Sequence, residues 1–511
     1  MTDLSTPSAP QEEQRSTSRS ILKDASRYTA ATYAAQVGGF AVGLATKGLL
    51  GPTNVGIWAL LNILLGYLAA SAVGTTDAIA KEVPYLREKG DSTRAQSLIE
   101  AMLGFVLGVS AAVGLVVAGI AVLRPQLDLP YRVGVLLVGL IFPLWMFMNA
   151  QTVLLRAAKR FDALSTQLIL QLLVTAAVGV PLIWRFSIYG QYTSFVVLVV
   201  VVALYFSRVM RRDTAFVLRP RLNWLPLRQL FAIGIPLQLA SLVTTVQTTA
   251  DSLLAAKVLG VTSLGYYSLA VTVKGYIYQT PNAFSVVMFP RFQERFAASR
   301  DDPAALRTYV EKPILGFALV ILPILIGASW QVVPFVVRHF LPAFIPAVPA
   351  IRLLLVGTFF TSLWHMPVQF LIAVNKLWQG VLIAGVNACL VVGAVLVATR
   401  MHPSVASVAI GTSVAYALGF LLMTGYVLRH FASVLRVTLF LGEILLAGAV
   451  LFGALLAADS LIGDAAAIPA DSVRLVLRLV VLLLPAAVLL RRADRVLGLR
   501  QYLRWGREAA A

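Results

Sequence analysis

The sequence predicts an all-α integral membrane protein with about 14 transmembrane helices: two parallel six-helix lobes and two further helices at the C-terminal end. Three observations predict it. The 511 residues are 59% hydrophobic and only 13% charged, and the mean hydropathy of +0.83 is far above that of a water-soluble domain. Apolar stretches of roughly 20 residues, long enough to cross the hydrocarbon of a bilayer, recur along the chain between short polar turns. One of these stretches is echoed in the second half of the sequence.

In chain order the expected spans lie near residues 29–50, 55–80, 98–123, 133–155, 167–184, 191–207, 230–259, 264–289, 313–337, 348–372, 380–399, 404–427, 437–458 and 473–490. The polar opening "MTDLSTPSAPQEEQRSTSRS" lacks the apolar core and small-residue cleavage site of a signal peptide, so residues 1–28 read as a disordered tail. Spans 1 to 6 then make a first lobe over 29–207, and residues 208–229 make a basic linker. Spans 7 to 12 make a second lobe over 230–427. The last two spans occupy 437–490, ahead of a basic tail at 491–511.

A net charge of +19 raises nucleic acid as a partner. Its distribution argues otherwise. With the N-terminus in the cytoplasm, most of the 42 Lys and Arg fall in the tails and the even-numbered loops, among them "KEVPYLREKGDSTR", "RAAKR" and "RVMRRDTAFVLRPRLNWLPLR". This is the positive-inside pattern; it places both termini in the cytoplasm and assigns the excess charge to anchoring on anionic membrane lipid. No nucleic acid partner is expected. Cys389 is the single cysteine and sits in an apolar segment, so it supports neither an intrachain disulfide nor a metal site. The chain has no G-x-x-x-x-G-K-[ST], C-x-x-C or H-E-x-x-H pattern, and no cofactor is expected.

Leu50 to Tyr67, "LGPTNVGIWALLNILLGY", aligns with Leu259 to Tyr276, "LGVTSLGYYSLAVTVKGY". The identities are Leu50/Leu259, Gly51/Gly260, Thr53/Thr262, Gly56/Gly265, Leu60/Leu269, Gly66/Gly275 and Tyr67/Tyr276, all at one offset. Six spans separate the copies, so both cross the membrane in the same direction. Parallel repeats of this kind place a substrate site between the halves and move by rocking one half against the other.

The "LGPTNVGIWAL" turn, its echo "LGVTSLGYYSLA" and the span count resemble the polysaccharide flippases of the Wzx type, in the multidrug, oligosaccharidyl-lipid and polysaccharide (MOP) exporter superfamily. The resemblance covers residues 25–490 and rests on hydropathy and a Gly-centred turn, with no catalytic signature. It implies a bacterial inner-membrane protein that moves an undecaprenyl-pyrophosphate-linked oligosaccharide to the periplasmic leaflet. It also implies two lobes forming a V around a cationic central cavity, with spans 13 and 14 cradling the lipid tail. Membrane lipids, a glycan polymerase and export machinery are the partners implied.

Charges inside spans cost at least ~2.5 kcal/mol on insertion scales, so depth decides which need explaining. Lys257 lies only ~5 Å from the Gly260 turn, and Lys47 is as close to the Gly51 turn; both can snorkel to the interface. Asp77 falls near the cytoplasmic end of span 2, and Glu443 opens span 13; both read first as interface residues. Arg27, at the mouth of span 1, reads as an anchor that could also meet an entering phosphate. Arg352 and His365 are weaker candidates, the first as an interface anchor and the second as a proton carrier or a packing residue.

Asp251 and Lys274 differ. At ~14 and ~16 Å from the turn they are expected near the midplane, level with each other on adjacent helices. Two roles fit: a salt bridge that packs the helices, or a charge pair lining a wet cavity. Thr244, Gln247 and Thr248 precede Asp251 at helical spacing, and Tyr267 and Tyr278 flank Lys274. Such a surface suits a sugar pyrophosphate, with ammonium for phosphate, amide and hydroxyl for sugar hydroxyls, and aromatic faces for pyranose rings. Interhelical hydrogen bonding alone would use similar residues. At the repeat offset Asp251 maps to Val42 and Lys274 to Leu65, so the first lobe lacks the pair.

The expected activity is therefore transport and not catalysis. A cation-coupled multidrug exporter or a flippase of peptidoglycan lipid precursors would share this scaffold. A membrane polymerase or ligase is expected to need a large outside loop with Arg or His, and the longest outside loop, "ADSLIGDAAAIPADS", has neither.

Overall fold

Lipid offers no partner for a bare N–H or C=O, so a chain this apolar must satisfy its backbone internally. The computed structural model describes residues 9–213, 216–299, 302–463 and 467–497, and among them there are helices and no strand. The helices are α1 (Ala9–Leu68), α2 (Thr75–Glu88), α3 (Ser92–Leu123), α4 (Leu129–Ala157), α5 (Phe161–Val174), α6 (Val180–Asp213) and α7 (Trp224–Leu259). They continue with α8 (Val261–Ala298), α9 (Arg307–Gly316), α10 (Leu322–Phe340), α11 (Val348–Ser362), α12 (His365–Ala373), α13 (Leu377–Met401) and α14 (Val405–Leu428). The last three are α15 (Val434–Leu461), α16 (Ile468–Val481) and α17 (Leu483–Leu497).

Eleven helical segments among the described residues are long and apolar enough to cross a membrane. Two of them, Gly38–Ala72 and Phe161–Arg212, each hold two expected spans. The first breaks at Gly51 and the second leaves helical geometry at Ser187. With α8 added, the crossing segments agree with the expected number, and the chain is a multi-pass membrane protein. α1 is helical from Ala9, inside the stretch expected as a disordered tail; Pro10 falls in its first turn, where a missing N–H costs nothing.

Two compact units partition the chain: Met1–Leu50 with Leu61–Leu242, and Gly51–Leu60 with Val243–Ala511. In the first, α3 and α4 cross where a Cβ on Gly114 would stand 2.4 Å from the Gly139 carbonyl oxygen and one on Gly139 2.6 Å from that of Gly114. Small residues let backbones approach this closely, which is how helices associate where lipid removes the hydrophobic drive. Tyr192 donates to the Pro130 carbonyl at 2.7 Å, tying α6 to the start of α4.

In the second unit α14 packs between α11 and α13. Gly357 makes room for Ser413, whose hydroxyl donates to the Leu353 carbonyl at 2.7 Å. A partly buried ionic cluster fixes α15 and α16 to this unit. Asp459 receives the Trp330 indole N–H at 2.9 Å and pairs with Arg352 at 3.0 Å; Asp471 faces Arg338 at 3.2 Å and His339 at 2.9 Å. Both carboxylates come from the loop region expected outside the membrane. Arg352, expected as an interface anchor, is thus held by a carboxylate, and Glu443 by Arg492 at 2.7 Å.

The repeat explains itself at its glycines. Gly51 and Gly260 both take positive φ, 72° and 89°, which an L side chain resists. Gly56 and Gly265 face each other inside the second unit: a Cβ on Gly56 would lie 1.9 Å from the Val261 carbonyl oxygen, and one on Gly265 1.8 Å from that of Pro52. Pro52 and Val261 are themselves repeat equivalents, so the contact is reciprocal. Thr53 and Thr262 close it with a hydroxyl–hydroxyl bond of 2.9 Å across 209 residues. Gly66 and Gly275 both face open space.

Substitution should follow this division. Gly56→Val or Gly265→Val is expected to cost about 3 kcal/mol or more, because the obstructing atoms are backbone. Gly66→Ala and Gly275→Ala should change stability by less than about 0.5 kcal/mol. Thermal unfolding of the detergent-solubilised chain distinguishes the two sets.

Candidate functional site

A carboxylate in a helix interior far from water must be hydrogen-bonded or neutralised. Asp251, on α7, is fully buried and meets that demand with three donors. Its Oδ1 accepts the Ser252 backbone N–H at 2.7 Å and lies 3.2 Å from the Ser252 hydroxyl, while Oδ2 accepts the Tyr267 phenol at 2.7 Å. The same phenol oxygen is 3.2 Å from Thr412 Oγ1 on α14.

One turn along α14 from Thr412 stands Tyr416, whose hydroxyl receives a hydrogen bond from Lys274 Nζ at 3.0 Å. The ammonium also lies 5.1 Å from the Tyr416 ring centroid, within cation–π range. Tyr267 and Lys274 are seven residues apart and share a face of α8, as Thr412 and Tyr416 share a face of α14. The result is a polar row along the α8–α14 seam, anionic at one end and cationic at the other.

A second strand of this network begins at Gln247, one turn before Asp251. Its amide donates to Asn387 Oδ1 on α13 at 2.8 Å, and Asn387 Nδ2 donates to the Ala415 carbonyl, next to Tyr416, at 2.7 Å. Gly419 permits this, since a Cβ there would fall 2.0 Å from Asn387 Nδ2. At the other end the Tyr278 ring rests on His365, with centroids 4.4 Å apart.

Asp251, Tyr267, Lys274 and Gln247 are therefore brought into one network of the second unit, with Tyr278 one turn beyond Lys274 on α8. Asp251 and Lys274 do not form an ion pair: among the described residues the donors to Asp251 are Ser252 and Tyr267, and the acceptor for Lys274 is Tyr416. Tyr267, seven residues before Lys274 on α8, takes the place at the carboxylate that a direct ion pair would have given to the lysine. Thr244 and Thr248, on the same side of α7, are exposed, whereas Gln247 and Asp251 are buried.

Lys257 is exposed in the last turn of α7, Lys47 is half-buried on α1 four residues before Gly51, and Asp77 is exposed in the first turn of α2. The side chain of Arg27 lies outside the described residues. Tyr416, Thr412 and Asn387 complete the network but carry no charge to mark them in an apolar helix.

The fold and this network define a class: a multi-pass helical membrane protein with a charged seam built inside one unit. Solved structures share the fold. The chain is similar to the lipid II flippase MurJ in an inward closed conformation, at 13% identity and TM-score 0.66 over 92% of this chain and 99% of that one. It is also similar to an inward-facing multidrug resistance MATE family transporter of the MOP superfamily, at 14% identity and TM-score 0.64 over 78% of this chain and 95% of that one. A search of curated proteins finds no match. The model of the family described as "Polysaccharide biosynthesis protein" matches residues 48–349, more than half of the chain, and the chain belongs to that family.

The network ranks its own members. Tyr267→Phe leaves the buried Asp251 Oδ2 short of its donor and is expected to cost about 2 kcal/mol. Tyr278→Phe, which loses no hydrogen bond formed among the described residues, should cost less than about 0.5 kcal/mol. Differential thermal unfolding in one detergent measures both.

Proposed function

We propose that this chain is a secondary transporter that flips undecaprenyl-pyrophosphate-linked oligosaccharide from the cytoplasmic to the periplasmic leaflet of a bacterial inner membrane by alternating access, with both termini in the cytoplasm. The observation that carries the reading is Lys274. It is the mid-helix end of the polar row, half-buried where Asp251 is sealed, and Tyr416 takes only one of its three ammonium protons. Two donors remain for a phosphate oxygen, at a point where water competes weakly.

In this reading Lys274 meets the pyrophosphate and Tyr278 offers a ring to a sugar. Asp251, Tyr267 and Gln247 hold the lysine's surroundings in place, and Lys47, Lys257, Arg27 and Asp77 belong to the path by which the head group enters or leaves. Partners are the lipid-linked glycan, membrane lipids, and the polymerase and export machinery that take up the flipped product. An ammonium with spare donors opposes a cationic drug as cargo. Family membership favours a polysaccharide unit over a peptidoglycan precursor, although both carry the same pyrophosphate.

Deleting the gene should cause lipid-linked glycan to accumulate with its sugars on the cytoplasmic leaflet. Re-expression of the chain should clear it, Lys274→Arg should clear it in part, and Lys274→Gln should slow export by on the order of tenfold or more. Absence of any accumulated lipid-linked intermediate would overturn the assignment.

A further inference from the structure

The segment joining α6 to α7 is bound closely to α3. Gln96 Nε2 donates to the Val217 carbonyl at 2.7 Å, and the Val217 N–H donates to Gln96 Oε1 at 3.1 Å. The Arg221 N–H donates to the Glu100 carbonyl at 3.1 Å, and a Cβ on Gly104 would strike the Arg221 backbone at 2.7 Å. Phe216 is buried with the Arg87 guanidinium over its ring at 4.8 Å. Where the segment turns into α7 this packing leaves a pocket of about 610 Å³ lined by Arg94, Ser97, Leu98, Leu225, Pro226, Arg228, Gln229 and Ala232.

The lining is two-sided. Leu98, Leu225, Pro226 and Ala232 form an apolar wall; Arg94 and Arg228 supply two cations, and none of the lining residues is acidic. Arg94 is oriented by a hydrogen bond to Gln229 Oε1 at 2.9 Å, and Arg228 makes no polar contact among the described residues. Nearby carboxylates are engaged: Asp91 caps α3 through the Arg94 N–H, Glu82 accepts from Gln229, and Glu100 pairs with Arg221. Beside the arginines, Leu222, Trp224 and Leu225 are 74%, 69% and 77% exposed. A Trp with two leucines laid bare beside paired arginines suits the boundary between hydrocarbon and head groups.

We propose that this pocket binds the phosphate of an anionic bilayer phospholipid, with Arg94 and Arg228 on the head group and the Leu98–Leu225 wall against the upper acyl chain. The positive-inside pattern assigns this face to the cytoplasmic leaflet, where anionic lipid attracts basic clusters. The exposed apolar residues select a lipid over a dissolved phosphate, which gains nothing from them. The site lies wholly within the first unit, and the Asp251–Lys274 row within the second.

The test uses the purified full chain in nanodiscs of phosphatidylcholine with and without phosphatidylglycerol, reading phosphatidylglycerol retention by native mass spectrometry and the thermal midpoint. The wild type should retain phosphatidylglycerol and gain stability from it. Arg94→Gln with Arg228→Gln should weaken retention about thirtyfold, at about 1 kcal/mol per arginine at the membrane surface. A charge-matched pair outside the pocket, Arg211→Gln with Arg429→Gln, should behave as wild type, and all three should melt alike in pure phosphatidylcholine. Equal retention by the pocket variant overturns the proposal. So does equal stabilisation of detergent-solubilised wild type by inorganic phosphate alone, which would assign the arginines to a soluble anion.

Discussion

Gly56 against Gly265 is the contact on which the second unit's construction depends. Each backbone passes so close to the other that no side-chain atom fits between them, and the atoms in the way are carbonyls that cannot rotate aside. Because Pro52 and Val261 occupy equivalent places in the two copies, one steric requirement is imposed twice by symmetry. The Thr53–Thr262 bond then closes the contact using equivalent hydroxyls. It also accounts for the placement of Gly51–Leu60 with the second unit although its neighbours in sequence belong to the first. The short helix start following the Gly51 break is carried across by its own repeat partner.

From that crossing α7 and α8 run on side by side, and their polar residues must satisfy one another. A buried carboxylate and a lysine in lipid would be expected to pair directly. Direct pairing would neutralise both and leave little for a ligand; instead Tyr267 serves the carboxylate and Tyr416 the ammonium. Phenols can do this because they reach far, carry a polar tip and bury an aromatic body cheaply in an apolar environment. The consequence is a fixed separation of charge along the α8–α14 seam, with the cationic end the more accessible one.

Much of the fold was legible because a bilayer imposes length and hydropathy on every crossing helix, and Gly51-Pro52 announces a break that no apolar helix tolerates quietly. The ends were less so: α1 extends back to Ala9 through residues whose polarity resembles a tail. Within the site, Asp251 and Lys274 were visible because a charge stands out in an apolar run. Tyr416, Thr412 and Asn387 were not, since neutral polar residues are ordinary in packed helices and only tertiary structure says that α13 and α14 flank α7 and α8. Depth counting along single helices set Asp251 level with Lys274; it could not say which side chains bond to each, and these are Tyr267 and Tyr416. Asp459 and Asp471 were read as loop residues for the same reason, because their partners Trp330, Arg352, Arg338 and His339 come from helices more than 100 positions away.

The two copies of the repeat part ways beyond their glycines. Gly51, Thr53, Gly56 and Gly66 each have an equivalent that meets the same local condition, whether positive φ, close contact or open space. Val42 and Leu65, which stand where Asp251 and Lys274 would be, are apolar. Symmetry is therefore kept where the backbone must turn and cross, and given up where charge is placed. The pair is an addition of the second copy and not part of the turn that both copies share. Burying Asp251 and Lys274 is costly, and four hydroxyl-bearing neighbours, Ser252, Tyr267, Thr412 and Tyr416, are arranged around the two charges to offset that cost.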